Sequence, residues 1–281
     1  MGKKKFVFVG NWKMNGTSAT LGSYFNSLNK SFKELGCIFN RDKDAVVRLV
    51  QIGEANVSAE VIICPPSVYI SQSVNLSTNV NVNIGGQVCC SIDKNGAFTG
   101  CISAGMLKDV GCSHVIVAHS EARNFFNYST DDIAKIVYIA LKNGIYPIVC
   151  FGESKSGSAE GVIAEVKDVF DKVNFFCLNA GLNSNLLGKI VIAYEPVWSI
   201  GSGNVPSSDY IGSILLSIKQ ALIQSLGSSA TLVRLIYGGS VDAKNAYSIL
   251  NIPDVCGLIV GGASLVPKQF VQIVSSVGIN S

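Results

Sequence analysis

The fold of this chain is decided by the stretch Ile190-Val191-Ile192-Ala193-Tyr194-Glu195-Pro196-Val197-Trp198-Ser199-Ile200-Gly201-Ser202-Gly203-Asn204. It begins with an unbroken apolar run, which is typical of a strand buried on both faces of a parallel sheet. The run ends in one carboxylate, Glu195, and continues into a proline, an aromatic residue and a segment of glycine and serine. The pattern predicts a buried strand that delivers Glu195 to a sheet edge, followed by a loop that is stiff at its start and flexible at its end.

Glu195 is a candidate general base. A carboxylate at a strand end can be shielded from water by whatever covers it, and such desolvation raises the pKa of the carboxyl group into a useful range for proton abstraction. The structural alternative is a strand-terminal glutamate that caps a helix. The hinge-like residues that follow Glu195 favour the chemical role.

Units of the same kind recur along the whole chain. Helix-like segments alternate with eight short apolar or β-branched runs, which are predicted as strands at 6–9, 61–64, 80–85, 114–118, 146–151, 190–194, 232–237 and 257–260. The helices are predicted at 20–35, 66–76, 103–110, 130–142, 161–179, 209–226, 243–250 and 267–277. Such alternation builds βαβ units around a parallel sheet, in the α/β class. Because no glycine-rich dinucleotide fingerprint follows the first strand, the pattern favours a closed (β/α)8 barrel over a doubly wound sheet.

The length and the spacing of these units predict one domain over residues 1–281, since a chain of this size suits a single barrel. A polar and charged stretch at about 36–58 interrupts the pattern. It is predicted as a surface insertion with a short helix at 45–52. The serine- and glycine-rich stretch 152–161 is predicted to be a mobile loop.

Composition excludes several function classes. Lys3, Lys4 and Lys5 alone match the formal net charge of +3, so no basic face for nucleic acid is expected. No apolar run reaches the roughly 18 residues of a membrane span, and no membrane association is expected. Nine cysteines without a CxxC pair and only two histidines indicate reduced thiols in a cytoplasmic protein with no metal site.

Polar residues follow the predicted strands at their carboxyl ends, where the active sites of such barrels lie. They are Asn11, Lys13, Gln87, His119, Glu121, Glu153 and Glu195. The seventh and eighth strands end instead in Gly238-Gly239-Ser240 and Gly261-Gly262. Glycines let backbone N–H groups approach an anion, and the loops after these two strands are the usual phosphate site of the fold. The two turns together predict a phosphate-binding site.

Six motifs at successive strand ends resemble the triosephosphate isomerase family. They are Gly10-Asn11-Trp12-Lys13-Met14-Asn15-Gly16, Gly96-Ala97-Phe98-Thr99-Gly100, His119-Ser120-Glu121, Tyr194-Glu195-Pro196-Val197-Trp198, Tyr237-Gly238-Gly239-Ser240-Val241 and Val260-Gly261-Gly262-Ala263-Ser264. The resemblance covers nearly the whole chain except the insertion and the last few residues. It implies a TIM barrel, a homodimer and an isomerase of glycolysis and gluconeogenesis. Such an enzyme interconverts dihydroxyacetone phosphate and glyceraldehyde 3-phosphate without a cofactor.

The resemblance also implies a role for each candidate residue. Glu195 would be the base that moves a proton between adjacent carbons, and His119 the electrophile that polarises the substrate oxygens. Asn11 and Lys13 would stabilise the enediolate, and Glu121 would complete the polar network. The implied phosphate ligands are Lys13, Gly201, Ser240, Gly261 and Gly262. The implied lid consists of Pro196, Val197, Trp198, Ser199, Ile200, Gly201, Ser202, Gly203 and Asn204, with Glu153 holding it open and Tyr237 holding it closed.

Several positions depart from the family's pattern. Cys101 and Ala122 stand where the family usually has a glutamate and an arginine that pair across the dimer interface. Losing one partner strands a charge at a cost of roughly 3–5 kcal/mol, whereas losing both can be nearly neutral. A homodimer with an altered interface is therefore expected. In addition, Ala118 replaces the glycine expected before His119.

Two alternatives to an active isomerase remain open. A non-catalytic sugar-phosphate-binding relic of the same fold would keep the pocket, but it has no need to keep Glu195, His119 and Lys13 together. Another barrel enzyme on a phosphorylated substrate, such as an aldolase, is expected to carry a Schiff-base lysine inside a strand. Lys13 lies just past the first strand, which disfavours that alternative.

Overall fold

Eight parallel strands close into a barrel in the computed structural model, which describes residues 4–42, 46–154 and 158–278. The strands in that part of the chain are β1 (Phe6–Asn11), β2 (Ile38–Arg41), β3 (Val47–Ile52), β4 (Ala55–Cys64), β5 (Asn83–Gly86), β6 (His114–Val117), β7 (Tyr146–Phe151), β8 (Val191–Tyr194), β9 (Arg234–Tyr237) and β10 (Val255–Val260). All except β2 and β3 run parallel around the barrel, and β1 closes it by pairing with both β4 and β10. The predicted (β/α)8 barrel is confirmed.

Helices pack around this barrel. Across the described residues they are α1 (Ser18–Glu34), α2 (Ile70–Ser77), α3 (Ala104–Asp109), α4 (Ser120–Phe126), α5 (Thr130–Lys142), α6 (Ala159–Asn179), α7 (Ser208–Leu226), α8 (Ala246–Leu250) and α9 (Pro267–Ser275). Helix α4 was not predicted, because it is short and has no fully buried residue, so it lacks an apolar stripe. The loop predicted to be mobile at 152–161 lies partly outside the described residues.

The apolar core has two layers, which explains why the barrel strands are apolar throughout. Along β1, Val7 and Val9 belong to the cluster inside the barrel, whereas Phe8 belongs to the cluster between the strands and the helices. Successive side chains of a strand point to opposite faces, so one strand supplies both layers. This burial on both faces removes the alternation of polar and apolar residues that marks a half-exposed strand.

The insertion is a β-hairpin rather than a helix. Strand β3 pairs antiparallel with β4, with Arg48 opposite Glu60 and Leu49 opposite Ala59. The helix predicted at 45–52 is therefore wrong over Val47–Ile52, while Ala45 lies outside the described residues. Val47 and Leu49 lie two residues apart and are both buried, which matches the two-residue period of a strand. The long strand β4 supplies the hydrogen-bond partners of this segment.

The hairpin also places the guanidinium group of Arg48 at the amino end of the barrel. The carboxylate of Glu60, which is only 1% exposed, accepts hydrogen bonds from Arg48 and, at 2.8 Å, from Arg234. Nε2 of His114 lies 3.2 Å from the other oxygen. Burial by itself raises the pKa of Glu60, but Arg234, His114 and Arg48 together hold it well below its usual range.

Candidate active site

A cavity of about 320 Å³ opens at the carboxyl ends of the barrel strands. Eight of the nine residues predicted to be catalytic or phosphate-binding line it, namely Asn11, Lys13, His119, Glu195, Gly201, Ser240, Gly261 and Gly262. Glu121 reaches the cavity through its ion pair with Lys13, whose Nζ lies 2.6 Å from Oε1 of Glu121. Glu153 and Tyr237 do not line the cavity and instead contact the predicted lid.

Glu195 follows β8 directly and is buried, with 3% of its surface exposed. Burial raises the pKa of its carboxyl group, and the nearby His119 and Lys13 offset only part of that effect. Oε1 lies 3.5 Å from Nε2 of His119, and Oε2 has no hydrogen-bond partner among the residues that the structure describes. A buried carboxylate oxygen without a partner is energetically costly, so this atom is poised to accept a proton.

Two glycines make room for Glu195. A Cβ atom at Gly152 would lie 1.7 Å from the carbonyl oxygen of Glu195, and one at Gly238 would lie 2.8 Å from its Cγ. Both distances are far below van der Waals contact, so only glycine fits at either position. No role for Gly152 was predicted from the sequence. Its only signal was a glycine immediately after the fifth predicted strand.

His119 is the N-cap residue of α4. Its Nδ1 accepts a hydrogen bond from the backbone N–H of Glu121 at 3.2 Å. A ring nitrogen that accepts cannot carry the proton of the neutral ring, so in neutral His119 the proton is on Nε2, which faces Glu195. The histidine can therefore donate a hydrogen bond to a substrate oxygen placed beside the base.

The position of Lys13 is fixed by hydrogen bonds to its backbone as well as by the ion pair of its side chain. Its φ angle is 54°, in the left-handed region that most residues avoid. The backbone N–H of Lys13 donates to Oδ1 of Asn11 at 3.0 Å, and its carbonyl accepts from Nε2 of Gln87 at 2.8 Å. Gln87 was identified as a polar residue at a strand end but was given no role, and the structure places it as the support of the Lys13 backbone.

The predicted phosphate turns lie together on the cavity wall. Gly239 and Ser240 follow β9, while Gly261 precedes a short 3-10 helix, Gly262–Leu265, that begins at the wall. The first N–H groups of a helical turn have no partner within the turn, so they are available to an anion. Lys13 lies next to these turns: a Cβ atom at Gly261 would be 3.3 Å from Cε of the lysine.

The predicted lid contacts both residues proposed to latch it, through the adjacent residues Trp198 and Ser199. In its first half, Nε1 of Trp198 donates to Glu153 at 3.0 Å, and the hydroxyl of Tyr194 donates to the same carboxylate at 2.9 Å. Further along, the hydroxyl of the fully buried Ser199 donates to the carbonyl of Asn204 at 2.5 Å and lies 3.3 Å from the hydroxyl of Tyr237. Both latch candidates thus contact the lid in the same conformation.

Cys101, one of the two residues that replace the interface pair, shares a cavity with two other cysteines. Cys101 is exposed and Ala122 is half-buried. A cavity of about 360 Å³ is lined by residues that include Cys89, Cys90 and Cys101. Burial and the neighbouring Cys90 raise the pKa of the Cys89 thiol to about 12, so this thiol is unreactive at neutral pH.

The described ranges 4–42, 46–154 and 158–278 contain no group of three or more histidine, cysteine or acidic side chains arranged to hold a metal ion. The same part of the chain has no helix with the length and apolar character needed to cross a membrane.

A buried carboxylate beside a histidine Nε2, at the carboxyl ends of parallel barrel strands, defines an enzyme of the (β/α)8 class built for proton transfer. The family model for triosephosphate isomerase matches residues 6–277. Two curated proteins named triosephosphate isomerase are 34% and 35% identical to this chain, from Alkaliphilus oremlandii and Nitrosococcus oceani. Each alignment covers 97% of this chain, and 99% and 98% of the respective relative.

A solved structure agrees with these sequence relatives. The crystal structure of triosephosphate isomerase from Bartonella henselae superimposes with a TM-score of 0.71 at 30% identity, covering 97% of this chain and 99% of that one. The chain belongs to the triosephosphate isomerase family, and it is an enzyme of that type. The resemblance carried by the six sequence motifs is confirmed.

Proposed function

We propose that this cavity interconverts dihydroxyacetone phosphate and glyceraldehyde 3-phosphate through an enediolate, with Glu195 as the base. The single observation that carries the assignment is the buried, unpartnered carboxylate oxygen of Glu195 next to Nε2 of His119. Family membership supports the same reaction, which belongs to glycolysis and gluconeogenesis. No observation favours the non-catalytic relic.

Glu195 acts by moving one proton. Its carboxylate removes a proton from the carbon next to the substrate carbonyl and returns it to the adjacent carbon. His119, with the proton on Nε2, donates a hydrogen bond to the oxygens on these two carbons. A neutral histidine at a helix N-terminus is a recognised feature of this family, and it stabilises the developing oxyanion without protonating it outright.

Asn11 and Lys13 stabilise the negative charge that develops on the enediolate. The lysine ammonium is positioned by its ion pair with Glu121 and by the fixed left-handed backbone. A cation placed in advance beside a developing charge lowers the barrier, because no solvent has to reorganise during the reaction. The same ammonium contributes to phosphate binding, together with the backbone N–H groups of Gly201, Ser240, Gly261 and Gly262.

The lid, residues 196–204, closes over the bound substrate. Closure excludes water, which strengthens the electrostatic interactions and protects an intermediate that would otherwise lose phosphate. Glu153 latches the open lid and Tyr237 the closed lid. The contacts that both residues make with the lid support their role as latches, and the assignment of one residue to each state of the lid rests on the family resemblance.

The reaction needs neither a cofactor nor a metal ion. Substrate and product are isomers, so no electrons enter or leave, and the base that removes the proton also returns it. The histidine and the lysine supply the polarisation that a metal ion provides in other enzymes.

We also propose that the protein is a cytoplasmic homodimer built from one domain per chain, over residues 1–281. Two large apolar side chains are exposed in segments that carry site residues, Met14 (94% exposed) directly after Lys13 and Phe125 (83%) in α4, the helix that His119 caps. A second copy of the chain would bury them, and the missing charged pair at Cys101 and Ala122 would alter this interface.

The reaction is tested with a coupled assay on glyceraldehyde 3-phosphate, using the wild-type protein and Glu195→Gln. We expect turnover by the wild type and a loss of about 10²–10⁴-fold or more in the variant, the range supplied by general bases. Thermal unfolding confirms that the variant is folded. Absence of wild-type turnover, or equal turnover by both proteins, would contradict the assignment, and phosphate binding without turnover would indicate the relic.

The dimer is tested by sedimentation velocity at micromolar concentration. We expect a dimer that Met14→Glu weakens, whereas Phe175→Glu leaves it unchanged, because Phe175 is exposed on α6, away from the site. A fully active wild-type monomer would overturn the proposed assembly.

A further inference from the structure

Ala118, the residue immediately before His119, lies in a strained backbone conformation. Its φ angle is 56°, and its side chain is buried, with 4% exposed. Residues with a Cβ atom avoid this left-handed region, because Cβ then crowds the following carbonyl oxygen. Strained residues persist only where the surroundings hold them in place, and they concentrate at functional sites.

The strain occurs where strand pairing stops. The register between β6 and β7 ends at Val117 opposite Val149, so Ala118 is the first residue past the described ladder. Its carbonyl group is therefore directed to a different partner. Nε of Arg123 donates to this carbonyl oxygen at 2.7 Å, which satisfies a buried acceptor that would otherwise be unpaired.

The same guanidinium group reaches two further elements. Nη2 of Arg123 donates to the carbonyl oxygen of Cys150 in β7 at 2.8 Å, and Nη1 lies 2.5 Å from Oε1 of Glu165 in α6. The guanidinium also lies over the ring of Phe151, 5.6 Å from its centroid. Arg123 thus joins the ends of β6 and β7 to a neighbouring helix.

These contacts connect the two catalytic groups. The backbone N–H of Glu195 donates to the carbonyl of Phe151 at 2.7 Å, so the end of β7 supports the base. The backbone N–H of Arg123 donates to the carbonyl of His119 at 2.9 Å, so the arginine also belongs to the first turn that the histidine caps. Arg123 is therefore bonded to the backbone of His119 and to Cys150 in β7, and the next residue of β7, Phe151, bonds to the backbone of Glu195.

We propose that Arg123 is a positioning residue that holds Ala118 in its left-handed conformation and thereby fixes the ring of His119 opposite Glu195. Arg123 touches neither substrate nor reacting atoms in this assignment. The inference deepens the proposed isomerase function and rests on it for the kinetic effect. Its structural consequence, the placement of the His119 ring, does not require any turnover.

The first test observes the ring directly. The chain has only two histidines, so nitrogen-15 NMR of the uniformly labelled protein gives two sets of ring signals. In Arg123→Met we expect the His119 signals to shift while those of His114, bonded to Glu60 at the other end of β6, stay in place as an internal control. Unchanged His119 signals would overturn the proposal, even if the wild type has no isomerase activity.

The second test separates positioning from general stabilisation. Arg123→Met should lower kcat by about 10-fold or more and change KM less than about 3-fold, because misplacement of a catalytic group by a fraction of an ångström acts mainly on the chemical step. Glu165→Gln removes the charge from the outer partner but leaves the bonds to Ala118 and Cys150, so it should change kcat less than 2-fold.

The third test uses the strain itself. Glycine adopts φ near 56° without strain, so position 118 no longer depends on the arginine in Ala118→Gly. We therefore expect Arg123→Met to lose less activity, and to shift the His119 signals less, in the Ala118→Gly background than in the wild-type background. Equal losses in the two backgrounds would show that Arg123 does not act through Ala118.

Discussion

Nε2 of His119 lies 3.5 Å from Oε1 of Glu195, although the two residues follow β6 and β8, which are separated in the barrel by β7. Gly152, the residue directly after β7, has no side chain, so the backbone carbonyl group of Glu195 can pack closely against it. An acid–base pair of this kind needs two environments that differ. Here the carboxylate is buried with one oxygen unpartnered, and the imidazole is oriented by a helix N-terminus.

The pH dependence of stability should report the burial of Glu195. Because its folded-state pKa is raised, the folded protein binds more protons than the unfolded chain at pH values between the two pKa values. The contribution of Glu195 to stability is therefore complete below the ordinary carboxyl pKa and is lost as the pH rises through the folded-state pKa.

We expect Glu195→Gln to remove this dependence. Urea unfolding of both proteins across this pH window should show the variant gaining stability relative to the wild type as the pH rises. Parallel curves for the two proteins would mean that the carboxyl group is not desolvated in the folded state.

Arg48→Met tests whether the insertion stabilises the barrel. Removing this cation leaves the buried Glu60 with fewer partners, so the free energy of unfolding should fall by about 1–3 kcal/mol. Activity should remain, because the cluster lies at the amino end of the barrel. The control is Lys30→Met, whose ion pair with Glu34 is exposed at a distance of 3.9 Å and should contribute less than about 0.5 kcal/mol. Equal effects of both changes in urea unfolding would refute the role given to Arg48.

Gly152→Ala should disrupt the site by steric overlap. The added Cβ would lie 1.7 Å from the Glu195 carbonyl oxygen, so the strand end must move and the free energy of unfolding should fall by about 3 kcal/mol or more. Turnover of the folded fraction should fall as well, since Glu195 moves with its backbone. Thermal unfolding and the coupled assay measure the two effects.

A matched glycine provides the control. Gly22 lies inside α1, and a Cβ there would meet no atom of the described part of the chain within 4 Å. Gly22→Ala should therefore stabilise the protein by about 0.5–1 kcal/mol. If both alanine substitutions had similar effects, the close approach at Gly152 would not be the cause.

Trp198→Phe tests the anchoring of the lid. It removes the hydrogen bond from the indole to Glu153, the proposed latch of the open lid, but keeps an aromatic ring, so the open lid should lose about 1 kcal/mol of stabilisation. Because bound substrate favours the closed lid, KM should fall about 3–10-fold. Glu153→Gln retains one acceptor oxygen and should change KM less. Steady-state kinetics with glyceraldehyde 3-phosphate distinguishes the two variants. A larger change of KM in Glu153→Gln would show that the charge of Glu153, rather than its bond to the lid, matters.

Sequence patterns predicted the barrel well because its strands are buried on both faces. Continuous apolar runs and their regular spacing are a direct consequence of that burial, so all eight strands were located. The hairpin was mispredicted because two apolar residues, Val47 and Leu49, are too short a pattern to indicate a strand by themselves. The segment forms a strand because it pairs with β4. Helix α4 was missed because it buries no apolar stripe.

The residue types at the strand ends were likewise sufficient to gather Asn11, Lys13, His119 and Glu195 at one site, because parallel strands of a barrel end on the same side. The sequence by itself therefore determined the fold class, the family and the candidate chemistry. The supporting contacts were decided only by the tertiary structure. Gln87 bonds to the Lys13 backbone, Gly152 clears space for Glu195, and Arg123 bonds to the strained Ala118. Some of these contacts join residues that are tens of positions apart, and others depend on backbone angles and on distances between atoms. A local pattern of residue types contains no information on either.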